Sequence, residues 1–424
     1  MSGLLAACAV PTAAVRRSIT CNLYLPPPPL CCRGFLRGID WCTVTLTELD
    51  ETLETLFGTL RRFPDVEAEN LQAHDATDRL LLETAAGYVT SQETRVAVIG
   101  DRYGALTLGA VAALGVGHVR VTQDLYAGRL ALQRNADASG LAGRFDQFEL
   151  GAGLLDGAEL VLVQLPKALA ELEEIVDAVA RFAAPGAVLL AGGRVKHMTL
   201  GMNAVLERNF GSVQPQLAQR KSRVLLAINP TRPDTPEPFP VSEQNTELGM
   251  TVCAHGGAFS GTKLDIGTRF LLGFLDRIPT ARHAVDLGCG TGILATMYAR
   301  NRPEARVTAT DQSAAAVASA RATAAANGLA DRITVVQDDA MSTFEPGSAD
   351  LILLNPPFHL GASVHAGAAM KMFDAAARVL APGGELWTVY NSHLQYRAAL
   401  DRLIGPTTEI GRNPKFTVTR SIKR

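Results

Sequence analysis

The sequence predicts an α/β fold built twice in tandem, on three observations. Apolar runs of strand length alternate with helix-period segments after residue 45, the pattern of parallel sheets covered by helices on both faces. The order of these signals occurs twice, about 190 residues apart. In each round the first strand enters a glycine-bearing turn, at residues 100–104 and again at 288–292.

Composition bounds the reading. With 424 residues, 47% of them hydrophobic, the chain is too apolar for a disordered protein and long enough for two or three domains. It lacks a run of about 18 consecutive apolar residues, which excludes a membrane-spanning helix. The seven cysteines match neither a zinc site nor a secreted disulfide frame. The expected setting is a reducing cytoplasm, with no membrane and no metal, and the expected state is a monomer.

Residues 1–45 carry four consecutive prolines (Pro26 to Pro29), five of the seven cysteines and no sustained period, and are expected to be a disordered extension. Leu5-Ala6-Ala7-Cys8 resembles a lipoprotein box, but neither a basic region nor a useful apolar segment precedes it. The first round opens with a strand at 95–99 running into Gly100-Asp101-Arg102-Tyr103-Gly104. A strand at 118–122 ends near Asp124, one at 160–163 runs into Gln164-Leu165-Pro166, and Ala184-Pro185-Gly186-Ala187 leads into a further strand. Asp101, Arg102 and Tyr103 would crowd a backbone that must approach a ligand, so this copy is expected to be degenerate. Residues 231–240, with four prolines, are the expected linker. The domains expected are therefore 46–235 and 236–424.

The second round is sharper. A strand at 284–287 enters Gly288-Cys289-Gly290-Thr291-Gly292, followed by a helix at about 293–300. A strand at 306–310 ends at Asp311, and one at 333–337 ends in Asp338-Asp339. The strand 350–354 leads to Asn355-Pro356-Pro357-Phe358; then come a helix around 368–380 and a strand at 385–390.

Gly288, Gly290 and Gly292 suit a strand that turns sharply into a helix while its backbone lies against a ligand. Asp286 precedes the first glycine, and Asp311 stands about twenty residues on, where a carboxylate can accept both ribose hydroxyls. Asp339 could meet an adenine amino group. A dinucleotide enzyme would have a glycine at the sixth position of Gly-x-Gly-x-x-Gly, which this chain lacks. The ordered set looks like the S-adenosyl-L-methionine site of class I (Rossmann-like) methyltransferases, with the glycines contacting the methionine part and Asp286 organising the loop. Cys289 reads as a packing residue rather than a nucleophile.

Asn355-Pro356-Pro357-Phe358 matches the tetrad of methyltransferases acting on nitrogens conjugated to a ring or carbonyl. Such a nitrogen is a poor nucleophile because its lone pair is delocalised. The Asn355 side-chain oxygen and the Pro356 carbonyl can accept its two N–H groups, and the prolines stiffen the turn beforehand. Phe358 offers a face for stacking on the base. His359 could contact the substrate or relay a proton, or simply pack. The tetrad alone equally allows guanine N2, adenine N6 or a protein glutamine amide.

With His359, the tetrad resembles the RsmC/RlmG family of ribosomal RNA guanine-N2 methyltransferases. Phe259-Ser260-Gly261-Thr262-Lys263-Leu264-Asp265-Ile266-Gly267 resembles that family's Phe-Ser-x-x-x-Leu-Asp-x-Gly segment, which the resemblance implies helps cover the cofactor. Asn391-Ser392-His393-Leu394-Gln395-Tyr396 and Asn413-Pro414-Lys415-Phe416 are similar to its closing segments, nearer the large-subunit branch. The resemblance spans about 46–424 and implies guanine N2 as target, a degenerate N-terminal methyltransferase-like domain, and ribosomal RNA or a partly assembled subunit as partner. Residues 260–424 hold 18 basic against 14 acidic residues, a mild excess that suits an RNA backbone. A non-catalytic RNA-binding or ribosome-assembly factor is the competing reading.

Overall fold

The computed structural model describes residues 46–357 and 362–424, with backbone only for residue 46 and residues 362–366. The 1–45 extension, Phe358 and His359 lie outside the described residues.

The first sheet holds β1 (Val96–Ile99), β2 (Val119–Thr122), β3 (Phe145–Gln147), β4 (Leu160–Gln164), β5 (Val188–Arg194), β6 (Phe210–Pro215) and β7 (Ser222–Pro230), in the order β3-β2-β1-β4-β5-β7-β6. A hairpin of β8 (Val241–Asn245) and β9 (Met250–Ala254) follows. The second sheet holds β10 (His283–Leu287), β11 (Arg306–Asp311), β12 (Ile333–Gln337), β13 (Ala349–Leu354), β14 (Leu380–Asn391), β15 (Thr407–Arg412) and β16 (Phe416–Ile422). Its order, β12-β11-β10-β13-β14-β16-β15, repeats the first position by position. The chain is thus one α/β Rossmann-like unit present twice.

The expectation of parallel strands needs one correction. The last strand of each round runs antiparallel to both its neighbours, β7 to β5 and β6, and β16 to β14 and β15. A short loop joins β6 to β7 and β15 to β16 and can return the strand only in the opposite sense. The inner strands read as continuous apolar runs because both faces are covered: β1 is buried throughout, as are the last four residues of β13.

Some boundaries also move. The helix expected around 368–380 spans Ala362–Val379, and β14 begins at Leu380. Ala349 pairs with Leu380 but Leu351 with Glu385, so Ala381-Pro382-Gly383-Gly384 loops out where Pro382 has no N–H to give the ladder. Helices Leu46–Thr59 and Ala76–Ala85, before β1, and the β8–β9 hairpin add to the elements expected from the sequence. The hairpin is stitched to helix Ala314–Ala326: Cys253 and His255 donate their backbone N–H groups to Thr323 Oγ1 (3.0 Å) and Ser319 Oγ (2.9 Å). Among the described residues, no helix is long and apolar enough to cross a membrane.

The two rounds meet at equivalent positions. Leu125 caps helix Tyr126–Ser139 after β2, and Ser313 caps helix Ala314–Ala326 after β11; the two form an antiparallel bridge. The Tyr126 N–H donates to the Gln312 carbonyl and the Ala314 N–H to the Asp124 carbonyl, both at 2.9 Å. Asp124 Oδ1 also accepts from the Ser313 hydroxyl and the Ala315 N–H at 2.9 Å, so a first-round carboxylate caps a second-round helix.

Candidate active site

Strand register gathers the site. Leu287 of β10 pairs with Thr310 of β11 on one side and with Leu354 of β13 on the other. Asp311 of β11 pairs with Gln337 of β12. Gly288, Asp311, Asn355 and the Asp338-Asp339 pair therefore come together along one edge of the sheet, at the carboxyl ends of its parallel strands, where open α/β sheets bind ligands.

The glycine turn has three left-handed residues, Gly288 (φ 73°), Gly290 (φ 52°) and Gly292 (φ 76°). They are not equivalent. A Cβ on Gly292 would lie 3.0 Å from Ala320, and one on Gly288 would lie 3.0 Å from Met372 Cε, whereas one on Gly290 would meet nothing within 4 Å. Gly292 is fixed by helix packing, while Gly290 faces open space. Asp286 is fully buried and accepts the N–H of Ala295, third residue of helix Ile293–Asn301, at 2.9 Å. Its Oδ1 is buried without a hydrogen-bond partner, and burial, helped by the nearby Asp311 charge, pushes its carboxyl up to about 7. Cys289 is buried and its thiol is pushed well up by burial and by Asp311 and Asp286, which suits packing rather than nucleophilic attack.

Asp311 accepts the Gly290 N–H on one oxygen and the Ser313 N–H on the other, each at 3.0 Å. Burial pushes its carboxyl up against the pull of these bonds. Asp338 and Asp339, just beyond the β12 residue that pairs with Asp311, divide their work. Asp338 accepts from Asp339 N–H (2.7 Å), Thr343 N–H (2.9 Å) and the hydroxyls of Thr343 and Ser342; burial raises its carboxyl, but these bonds outweigh it and the net shift is downward. Asp338 thereby holds a turn in which Ala340 and Met341 take positive φ. Asp339 is left at the site edge, paired with Lys371.

Asn355 stands just after β13. Its Nδ2 donates to Asp265 Oδ2 (2.9 Å) and Thr268 Oγ1 (3.0 Å), while its Oδ1 is buried and has no hydrogen-bond partner. Asp265 caps helix Ile266–Leu272 by accepting the Thr268 N–H at 3.0 Å. A Cβ on Gly267 would lie 3.0–3.3 Å from Asp265 Oδ2 and both terminal atoms of Asn355, so glycine there admits the amide. The resemblance implies that this segment helps cover the cofactor; its contact with Asn355, 90 residues away, has no local signal in the sequence. Pro356 is buried behind Asn355.

The first round keeps the plan without the opening. Tyr103 is buried in its turn, its hydroxyl donating to Asp65 at 2.6 Å and its ring lying 4.7 Å beneath the Arg62 guanidinium. Asp101 accepts the Gly104 N–H (2.9 Å) and the N–H of Thr107 (2.7 Å), third residue of helix Ala105–Leu114. It thus does in the turn what Asp286 does from the strand.

Comparison with known proteins agrees with this architecture. The family model described as RLMG N-terminal domain matches residues 47–233, and that described as Methyltransferase small domain matches 249–420. Ribosomal RNA large subunit methyltransferase G of Pseudomonas aeruginosa (strain UCBPP-PA14) is 39% identical over 371 residues, covering 86% of this chain and 97% of its own. Its counterpart in Streptomyces avermitilis is 36% identical over 376 residues, with the same coverage. The fold is that of the T. thermophilus 16S rRNA N2 G1207 methyltransferase RsmC, solved with AdoMet and guanosine (TM-score 0.67, 24% identity, 83% of this chain and 92% of that one). The chain belongs to the ribosomal RNA large subunit methyltransferase G family.

Proposed function

We propose that the chain methylates the exocyclic N2 of a guanine in large-subunit ribosomal RNA, using S-adenosyl-L-methionine. The observation that carries this reading is the Asn355 amide: it is anchored through its nitrogen, with an unpaired buried oxygen beside the glycine turn.

The residues fit the cofactor. Asp311, at the end of β11, can accept the ribose hydroxyls, Gly290 leaves space where a side chain would intrude, and the buried Asp286 holds the start of helix Ile293–Asn301 through the Ala295 N–H. When bound, S-adenosyl-L-methionine supplies a methyl group activated by a sulfonium. Asn355 Oδ1 and the Pro356 carbonyl accept the two N–H groups of the target, favouring a pyramidal nitrogen whose lone pair is free to attack. Because both acceptors stand on a stiff turn at a strand end, little reorganisation is needed when the base arrives. The nitrogen becomes acidic as it gains the methyl group, so its proton leaves without a strong base. A guanine amino group is hidden in a duplex, which favours an unpaired or extruded target. Asp339 contacts the adenine edge of the cofactor in this reading, and Phe358 stacks on the base.

The test is methyl transfer by the purified chain to ribosomal RNA from cells lacking the modification. N2-methylguanosine is expected on nucleoside analysis; N6-methyladenosine in its place would overturn the reading. Asn355→Ala should slow transfer at least about 100-fold, the order of loss seen when one preorganised hydrogen-bonding group is removed. Calorimetric affinity for S-adenosyl-L-methionine should stay within a few-fold, and a fully active variant would refute the role given to Asn355.

A further inference from the structure

We infer that Asp265, with Thr268, is a positioning residue for methyl transfer: it locks the Asn355 amide in the one orientation that offers oxygen to the substrate nitrogen. The inference rests on the role proposed for Asn355.

An asparagine amide has two faces of opposite hydrogen-bonding character, and a half-turn about its last side-chain bond exchanges them. In one orientation Asn355 offers an acceptor to the substrate; in the other it confronts the substrate N–H groups with N–H groups of its own. The second would oppose transfer as strongly as the first aids it. The choice is made by Asp265. A carboxylate can only accept, and the group 2.9 Å from its Oδ2 must therefore be the amide nitrogen. Turned over, the amide would bring oxygen against oxygen at that distance. The second N–H goes to Thr268 Oγ1 at 3.0 Å, which satisfies the nitrogen completely and leaves the oxygen alone without a partner.

Asp265 is itself held. The same Oδ2 accepts the Thr268 N–H, so the residue that caps helix Ile266–Leu272 is also the one that orients the amide. Gly267 makes the approach possible, since a Cβ there would press on Asp265 and Asn355 together. The carboxylate also polarises the amide toward its oxygen, which strengthens Oδ1 as an acceptor.

The first round provides an independent comparison. Gln164, at the end of β4, holds the position that Asn355 holds just after β13, and its Nε2 donates to Asp78 Oδ1 at 2.5 Å. Asp78 lies in the first turn of helix Ala76–Ala85, which precedes β1 as helix Ile266–Leu272 precedes β10. An aspartate from the start of the preceding helix meeting the amide at this strand end is thus a feature of both copies. Among the described residues, only the second copy pairs it with an orphaned buried amide oxygen.

The experiment compares full-length Asp265→Asn, Thr268→Val and Thr268→Ser with the wild type in single-turnover transfer to unmodified ribosomal RNA. Asp265→Asn preserves shape but can face Asn355 with either an acceptor or a donor, so the amide is no longer locked. Its transfer rate should fall about 100-fold, with S-adenosyl-L-methionine and RNA affinities within about two-fold. Thr268→Val should lose about ten-fold, and Thr268→Ser should recover it. A merely structural role would lower the melting temperature of Asp265→Asn without this selective loss, and combining it with Asn355→Ala would then add a further loss. On our inference the double variant is no slower than Asn355→Ala alone. An Asp265→Asn enzyme with wild-type transfer, or one whose defect is lost cofactor affinity, would overturn the inference. If Asn355→Ala is itself fully active, the underlying reading fails instead.

Discussion

Asp286 can be tested through its proton. It is fully buried, has one partner for two oxygens, and its carboxyl is pushed from 3.8 to about 7. The folded state therefore holds a proton that the unfolded chain releases near pH 4. Stability must fall as pH rises between those values, with the full cost reached above pH 7. A shift of about three units corresponds to about 4 kcal/mol, of which about 2 kcal/mol accrues above pH 5.5. Asp286→Asn keeps a carbonyl for the Ala295 N–H and cannot ionise. Asp78 and Glu171, pushed by burial to about 8 and about 7, give the wild type and the variant the same additional slope, which cancels in the comparison. Urea unfolding at pH 5.5 and 8.0 would be followed by the fluorescence of Trp387, buried in the second sheet, in a Trp41→Phe background. The variant should gain about 2 kcal/mol on the parent between the two pH values. Parallel pH profiles, or a gain at the acidic side, would refute the account of Asp286 as a carboxyl kept neutral by burial.

Two glycines should separate binding from folding. Gly290→Ala meets no neighbour and costs only the left-handed backbone, about 1–2 kcal/mol, but should weaken S-adenosyl-L-methionine binding more than ten-fold by calorimetry. Gly292→Ala adds a clash with Ala320 and should show the larger drop in melting temperature. Equal stability losses would argue against the assignment of open space to Gly290. At the joint, Asp124→Ala removes the acceptor for the Ser313 hydroxyl and the Ala315 N–H, at a cost of about 1 kcal/mol. Faster amide exchange confined to the start of helix Ala314–Ala326 is expected, and unchanged protection there would refute the cap.

What could be read in the sequence was local in the chain. The strand at 284–287, its glycine turn and the acids Asp286 and Asp311 announce themselves because residue type and spacing follow from one strand–turn–helix unit. The tetrad at Asn355 is legible for the same reason. What could not be read depends on partners far apart in sequence: the insertion of β7 between β5 and β6 and of β16 between β14 and β15, the Leu125–Ser313 bridge, and the approach of Asp265 to Asn355. Periodicity reports which face of an element is buried, but not which element covers it.

The degenerate copy makes the limit sharper. Val98 stands where the second round has Asp286, so the sequence reads as the loss of an acid, yet the helix after the turn still receives a carboxylate on its third N–H. Asp101 supplies it from the turn, in the position that Cys289 holds in the second copy. The helix needs an acceptor there whether or not a ligand binds, because its first N–H groups have no partner within the helix. Supplying the acceptor from the turn frees the strand position for the apolar Val98, and Tyr103, two residues on, is buried in the turn and tied to Asp65. The second copy keeps the acid beneath the turn, which leaves Gly290 bare and the Asp286 carboxyl buried at the cost described above. The same structural requirement is thus met in two ways, from the strand in the copy whose turn carries Gly288, Gly290 and Gly292, and from the turn itself in the copy where Arg102 stands at the middle position.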